Sequence, residues 1–196
     1  DAWLTDIGID FHRTCPSGWA FVTKADAFLN LLKNKITSAP TKEDPAIWAP
    51  YNIGKVRSAG VDLLVGMSYE SGFLKASADA RYAYQSAVDK TPDSYTFGQQ
   101  IPYIARHTMI ISSSLEWRGW RLDPVWQLRS GRSDGAGELP DYNTLDLNFS
   151  KSMNLHRMGQ LMFRLAVKNI LDSRYETVSG YPMPGRNFIF GIDFNF

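Results

Sequence analysis

Apolar and polar residues alternate one for one along most of this chain. In the segment YNTLDLNFSKS, polar residues separate Leu145, Leu147 and Phe149, and the same alternation recurs in QLMFRLAVKN, GVDLLVGMSYE and LKASADARYAY. Successive side chains of a β-strand point to opposite faces, so a period of two indicates strands with one apolar and one polar face. The pattern predicts nine strands, at about residues 3–13, 18–34, 52–70, 73–88, 104–117, 119–131, 142–152, 159–170 and 185–196.

The segments between the predicted strands fall into two classes that alternate along the chain. Short turns contain TCPSG, ESG, WRG and MNLHRMG, and long loops cover residues 35–51, 89–103, 132–141 and 171–184. Short turns at one end and long loops at the other are typical of outer-membrane β-barrels, whose tilted strands cross the membrane with about 9 to 11 or more residues. A soluble barrel or sandwich would show the same alternation of residues.

The C-terminal strand NFIFGIDFNF carries the most apolar row of the chain. A terminal strand with a bare aromatic row invites aggregation, so we expect lipid to cover it. The strand has the form x-Gly-x-x-aromatic-x-Phe, which resembles the signal by which the bacterial outer-membrane assembly machinery recognises its clients. Gly191, Phe194 and Phe196 are the residues expected to form this assembly signal.

Composition narrows the possible functions. Aromatic residues make up 13% of the chain, which suits sheets and membrane belts, and a formal net charge of +1 offers no broad basic field for nucleic acid. The single cysteine, Cys15, leaves no internal disulfide and no cysteine-based metal site. His12, His107 and His156 are far apart in sequence, and no catalytic constellation is recognisable. We therefore expect neither an enzyme nor a bound metal or cofactor.

The odd number of predicted strands bears on the architecture. Bacterial single-chain barrels have even strand numbers and both termini on the periplasmic side. Counting back nine strands from a periplasmic C-terminus places Asp1 on the extracellular side. Two interpretations follow from the residues: a closed barrel of about eight strands whose first strand is miscounted, or the C-terminal part of a larger barrel.

Several motifs resemble those of one family, the TonB-dependent outer-membrane receptors. The segment VKNILDSRYETVSGYPMPGRNFIFGIDFNF is similar to the C-terminal end of these receptors, and YNIGKVRSAGVDL and LPDYNTLDL are similar to two upstream elements. The matching positions are Asn52, Gly54, Gly60, Asp62, Asn169 to Asp172, Tyr175 to Glu176, Gly180 to Tyr181 and Pro184 to Arg186. Ile170 and Leu171 stand where the family usually has Leu-Phe.

The resemblance implies an all-β fold in which residues 1–196 form about nine antiparallel strands of a transmembrane barrel of roughly 22 strands. The plug domain of such a receptor and its TonB box are not recognisable in this chain. By resemblance, the intact receptor is a transporter that imports a scarce nutrient of the cobalamin, siderophore-iron or heme class. The run from Tyr175 to Tyr181 resembles the cobalamin transporter branch most.

The resemblance also implies a location and a set of partners. The location is the bacterial outer membrane. The partners are the remaining N-terminal barrel strands and the plug, on the same or a separate chain, the TonB complex acting through the plug, the assembly machinery, lipid and a small nutrient ligand. No nucleic-acid partner is expected.

Ligand contacts are expected from the loops, because a scaffold of strands holds binding loops at its ends. The candidates are aromatic and charged residues near one rim: Trp48, Tyr51, Tyr95, Tyr103, Arg129, Arg132, Asp134 and Tyr181.

Two other functions stay open from the residues. A closed eight-stranded outer-membrane barrel with a structural or adhesive role requires residues 1–13 to be a periplasmic arm, and a soluble β-sandwich binding module requires the aromatic rows to interdigitate.

Overall fold

The computed structural model describes residues 1–41, 47–92, 94–156 and 159–196, with the side chains of all of these except residues 35, 37–40, 48 and 51–53. Nine long strands dominate. They are β1 (Ala2–Thr14), β2 (Trp19–Pro40), β3 (Trp48–Ser71), β4 (Leu74–Asp89), β5 (His107–Trp117), β6 (Trp120–Arg129), β9 (Tyr142–Asn154), β10 (Gln160–Lys168) and β13 (Asn187–Asn195). The short strands are β7 (Arg132–Ser133), β8 (Glu138–Leu139), β11 (Glu176–Val178) and β12 (Tyr181–Pro182). Within the described residues, no helix has the length and apolarity needed to cross a membrane.

The nine long strands form one antiparallel sheet in the order β1-β2-β3-β4-β5-β6-β9-β10-β13. Each strand therefore pairs with the next long strand along the chain, and the prediction of nine strands is confirmed. A sandwich needs two packed sheets, so the sandwich alternative is wrong. The eight-stranded alternative is wrong too, because β1 is no arm: it pairs with β2 from Ala2 opposite Leu32 to Thr14 opposite Ala20.

The hairpin of β2 and β3 corrects the predicted loop over residues 35–51. The pairing continues from Lys35 opposite Ile53 to Pro40 opposite Trp48. This part of the hairpin extends past the segments that pair with β1 and β4. Backbone hydrogen bonds hold a two-stranded ribbon together whatever its side chains are. Its residues therefore do not alternate between apolar and polar, and alternation is the pattern by which a strand is recognised in a sequence. The predicted loops over 132–141 and 171–184 contain the short hairpins β7-β8 and β11-β12.

One face of the sheet, which we call the polar face, carries every Asp and Glu of the nine long strands. Six cations on this face are paired with these acids. The pairs are Lys24–Asp10 (3.2 Å), Lys75–Glu70 (3.0 Å), Arg81–Asp79 (3.2 Å), Arg121–Asp123 (2.9 Å), Arg164–Asp193 (2.6 Å) and Lys168–Asp146 (3.0 Å). Because the side chains are partly exposed, each pair contributes no more than about 1 kcal/mol. These pairs neutralise six of the eleven acids that the nine long strands place on this face.

The opposite face, which we call the apolar face, carries large hydrophobic side chains that no other part of the described chain covers. They include Ile7, Ile9, Phe11, Phe21, Leu63, Val65, Met67, Leu115, Leu122, Phe149, Phe188, Phe190, Ile192 and Phe194. A continuous exposed apolar sheet face is incompatible with a soluble monomer and is the lipid-facing band of a membrane barrel. The arrangement is that of a segment of barrel wall.

The segment between β4 and β5 folds back over the polar face at the long-loop end and makes the best-buried part of the chain. Ile101 packs on Val56 and Ala87, with Leu32 and Ile104 beside them. The amide of Ile101 donates to the carbonyl oxygen of Ala87 at 2.8 Å. The segment is therefore attached to the wall and does not extend freely from it.

Gly60 explains one of the recurrent motif positions. It lies opposite Phe28 on the polar face, and the Phe28 ring covers it. A Cβ atom at this position would lie 2.7 Å from the ring and 2.2 Å from the carbonyl oxygen of Tyr84. Only glycine fits there, because the backbone of β4 and the ring approach too closely.

Candidate functional site

Three loop segments meet at the long-loop end of the sheet. The amide of Tyr103, from the β4–β5 segment, donates to the carbonyl oxygen of Ser133 in the β7-β8 hairpin at 2.7 Å. The guanidinium of Arg132 donates through Nη2 to the carbonyl oxygen of Glu176 in the segment that follows β10. These contacts join the three loops, and we call Tyr103, Arg132, Asp134, Tyr142 and Tyr175 the loop cluster.

Arg132 lies at the centre of the loop cluster. It is only 6% exposed, and its guanidinium lies over the ring of Tyr142, 5.3 Å from the ring centroid. Tyr142 in turn stacks on Tyr175, with ring centroids 4.2 Å apart and planes 18° from parallel. Nη1 is buried and donates to no described hydrogen-bond acceptor, so the aromatic face compensates its charge. Burial raises the pKa of the Tyr175 hydroxyl.

Asp134 shapes the tip of the β7-β8 hairpin. Its Oδ1 atom accepts the amide hydrogens of Gly137 at 2.5 Å and Ala136 at 2.9 Å. The bond from Gly137 is the largest cause that lowers the pKa of this carboxyl. The pKa of the Tyr103 hydroxyl is raised, mainly by burial and secondly by the negative charge of Asp134. Asp134 therefore acts on the backbone of its own turn and on the neighbouring loop.

A second loop constellation holds the segment between β10 and β13. Asn169 is buried, and its Nδ2 donates to the carbonyl oxygens of Ser173 at 2.9 Å and Pro184 at 3.2 Å. Asp172 accepts the amide hydrogen of Arg186 at 2.8 Å, and the Arg186 Nε donates to the carbonyl oxygen of Ile170 at 2.9 Å. The motif residues that suggested the family thus fasten the beginning of this loop to its end.

The sequence candidates separate into three groups. Tyr103, Arg132 and Asp134 come together in the loop cluster. Tyr95 and Tyr181 lie on different loops with 51% and 71% of their surface exposed, and Arg129 ends β6 with its side chain exposed. Trp48 and Tyr51 belong to β3, but their side chains lie outside the described residues. Whether any of these residues contacts a ligand stays a prediction.

Sequence reasoning did not single out Tyr142. It begins β9 on the polar face, opposite Arg129, and it is 7% exposed. The sequence did hold a signal, because an aromatic residue at the first position of an otherwise polar row, in LPDYNTLDL, departs from the alternation. Elsewhere in the described part of the chain, no group of three or more His, Cys, Asp or Glu side chains is placed to hold a metal ion.

The single-sheet fold, the ion-paired polar face and the exposed apolar face define a segment of an outer-membrane β-barrel wall. Residues 2–170 match the family model for the TonB dependent receptor-like β-barrel, and the chain belongs to this family. Members of this family are transporters and not enzymes, and their barrels reside in the bacterial outer membrane.

Solved structures share this fold at low sequence identity. Copper transporter OprC has a TM-score of 0.72 and 19% identity, and the match covers 100% of this chain and 31% of that one. Ferric citrate transporter FecA, in its unliganded form, has a TM-score of 0.70 and 16% identity over 97% of this chain and 30% of FecA. The FrpB iron transporter from Neisseria meningitidis (F3-3 variant) has a TM-score of 0.61 and 18% identity over 97% of this chain and 30% of FrpB. The chain thus spans under a third of the length of these transporters.

Proposed function

We propose that this chain is the C-terminal part of the barrel wall of a receptor that captures a scarce, metal-containing nutrient outside the cell and imports it. Family membership supports the expectation that a plug domain and the TonB complex act with the wall. The preceding barrel strands and the plug belong to the rest of the receptor, on the same or a separate chain. The ligand class that we propose is a ferric chelate, heme or cobalamin.

The convergence of three loops at one end of the sheet carries this proposal. Tyr103, Arg132 and Asp134 are engaged within the protein, so we assign them to positioning the loops. Tyr95 and Tyr181 on two loops, and Arg129 at the end of β6, have exposed side chains. Aromatic faces and a guanidinium suit a flat or chelated ligand with anionic groups, because rings stack on the ligand plane and Arg donates to carboxylates.

The names of the structural neighbours favour a metal-containing ligand. OprC is described as a copper transporter, FecA as a ferric citrate transporter and FrpB as an iron transporter. The run from Tyr175 to Tyr181 favours cobalamin within that class. We therefore choose ferric citrate, hemin and cyanocobalamin as the probes.

The test measures binding and uptake by the full receptor that contains this chain, expressed in cells that lack other receptors for each probe. We expect one probe to bind and to enter the cell only when TonB is present. Tyr181→Ala removes an exposed ring and is expected to weaken binding by about five- to thirtyfold, or about 1–2 kcal/mol. Val178→Ala is the matched control, because Val178 is exposed and pairs with Tyr181 in the same hairpin.

Two results would contradict the proposal. Uptake that continues without TonB would show that the receptor does not depend on TonB for transport. Equal binding by the Tyr181→Ala and Val178→Ala variants would show that the Tyr181 ring does not contact the ligand. It would not contradict TonB-dependent transport.

A further inference from the structure

Two cations and three aromatic rings lie together at the short-turn end of the sheet. Arg118 occupies the turn between β5 and β6, and its guanidinium lies 5.3 Å from the ring centroid of Trp117 and 5.6 Å from that of Phe73. The ammonium of Lys151, on the apolar face of β9, lies 4.5 Å from the ring centroid of Trp120. We call these five residues the turn-end cluster.

The two cations of the turn-end cluster are linked to each other. The Nζ atom of Lys151 donates to the carbonyl oxygen of Arg118 at 2.9 Å. The rings around them are open to the surroundings, since Phe73, Trp117 and Trp120 are 73%, 51% and 43% exposed. The cluster is therefore a surface on which two cationic residues, joined through the Arg118 backbone, lie with three exposed rings.

No described acid neutralises this surface. Neither Arg118 nor Lys151 makes an ion pair within the described part of the chain, whereas six cations of the polar face do. Every Asp and Glu of the nine long strands lies on the polar face, and the described residues of the short turns include none. Arg13, near the same end of β1, adds a further cation to the apolar face.

Physical chemistry restricts what can cover such a surface. A charge on a lipid-facing sheet is strongly unfavourable in hydrocarbon, so Lys and Arg reach for the headgroup region, where aromatic belts also lie. There the available counter-charge is phosphate. Arg donates to phosphate in a bidentate manner and Lys binds it as a point charge.

We propose that the turn-end cluster binds the phosphate headgroup of an anionic phospholipid, of the phosphatidylglycerol type, from the membrane leaflet at the short-turn end. The rings pack on the glycerol and upper acyl region while Arg118 and Lys151 hold the phosphate. This site is independent of which nutrient the receptor imports. It rests only on the membrane placement of the barrel.

The test uses the full receptor in mild detergent and counts retained lipids by native mass spectrometry during titration with palmitoyl-oleoyl-phosphatidylglycerol or palmitoyl-oleoyl-phosphatidylcholine. We expect tight, stoichiometric retention of phosphatidylglycerol and at least tenfold weaker retention of phosphatidylcholine. Inorganic phosphate is titrated as a competitor. Displacement by millimolar phosphate alone would mean that the site recognises the free anion and would overturn the lipid assignment.

Variants locate the site. Arg118→Gln and Lys151→Gln are each expected to weaken phosphatidylglycerol retention about fivefold, and the double variant about thirtyfold, from about 1 kcal/mol for each cation near a lipid surface. The matched control is Lys75→Gln with Arg121→Gln, which removes the same charges at the same end of the sheet but on the polar face, where both are paired.

Equal losses in the double variant and its control would overturn the proposal, as would wild-type retention in the double variant. Migration of the unheated receptor in SDS gels shows whether each variant has folded. If the double variant does not fold, the comparison of the two lipids on the unmodified receptor decides alone: equal retention of both refutes the site.

Discussion

Replacing Asp89 with alanine is expected to release the segment between β4 and β5 from the wall. Asp89 is 1% exposed at the end of β4. Its carboxylate accepts the amide hydrogen of Thr91 at 2.7 Å and the hydroxyls of Ser94 at 2.7 Å and Thr96 at 2.5 Å. The carboxylate thus organises the first turn of the segment whose later residue Ile101 packs on the polar face.

The size of the effect follows from these three donors. A buried donor that loses its acceptor costs about 1–3 kcal/mol, and hydrogen bonds to charged groups lie at the upper end. Water can reach part of the site once the carboxylate is gone, so the three losses do not add fully. We expect local opening to become easier by about 3 kcal/mol, or about a hundredfold.

Hydrogen exchange of the full receptor, followed by mass spectrometry, is the assay. The amides of Gly98 and Ile101, which donate to the carbonyl oxygens of Asp89 and Ala87 at 2.8 Å, are the reporters. Their exchange is expected to rise about a hundredfold in the Asp89→Ala variant while peptides from β5 stay protected.

The control for this experiment is Asp141→Ala, which removes an exposed carboxylate that accepts one amide hydrogen, from Gly131, at 2.7 Å. It should leave the exchange of Gly98 and Ile101 unchanged. Unchanged exchange in the Asp89→Ala variant itself would refute the reasoning, because it would show that apolar packing alone holds the segment.

Three further outcomes are expected. Gly60→Ala should strongly reduce the folded fraction seen in unheated gels, because its Cβ would lie 2.2 Å from the carbonyl oxygen of Tyr84, whereas Gly137→Ala, whose nearest neighbour is 3.8 Å away, should fold. Asn169→Ala should make residues 169–186 sensitive to limited proteolysis, with a loss of about 2–3 kcal/mol from the unpaired carbonyl and amide groups. Asp134 has a folded pKa below its ordinary 3.8, so its stabilisation of the hairpin tip is present above that value and is lost as the pH falls below about 4. Exchange of the tip amides, compared between neutral and acid pH, measures this loss, and protection that does not decline at all on acidification would contradict it.

The strands were predictable because one physical rule governs them. A strand with lipid on one side and charge on the other must alternate, and β9 alternates strictly from Thr144 to Ser150. Alternation no longer predicts a strand where the two faces of the strand do not meet different surroundings. No strand among the described residues pairs with the β2-β3 ribbon beyond Lys35, so its residues are not selected by face, and the sequence suggested a loop.

The loop contacts were not predictable for a different reason. The chemistry of Tyr103, Arg132 and Asp134 was visible in the sequence, but their joint position depends on where three loops, separated by many residues, return to the same rim. Asp89 was not singled out because it fits the polar row of its strand, and the departure from alternation at Tyr142 does not show what its ring contacts. In the folded loops, Arg132 lies over the ring of Tyr142, which stacks on Tyr175, and the buried carboxylate of Asp89 accepts hydrogen bonds from the β4–β5 segment.

The same side-chain chemistry serves opposite ends of the sheet in opposite ways, and burial decides which. Arg132 has its charge compensated inside the protein by a ring and a carbonyl oxygen, so it fixes loops and has little left to offer a ligand. Arg118 also lies over rings, but those rings are exposed and no described carboxylate pairs with it. A cation in this second situation keeps most of its capacity to bind an anion from outside. The ligand-contacting charge at the long-loop end should therefore be sought among exposed groups such as Arg129, and the lipid-contacting charge at the short-turn end among cations such as Arg118 and Lys151.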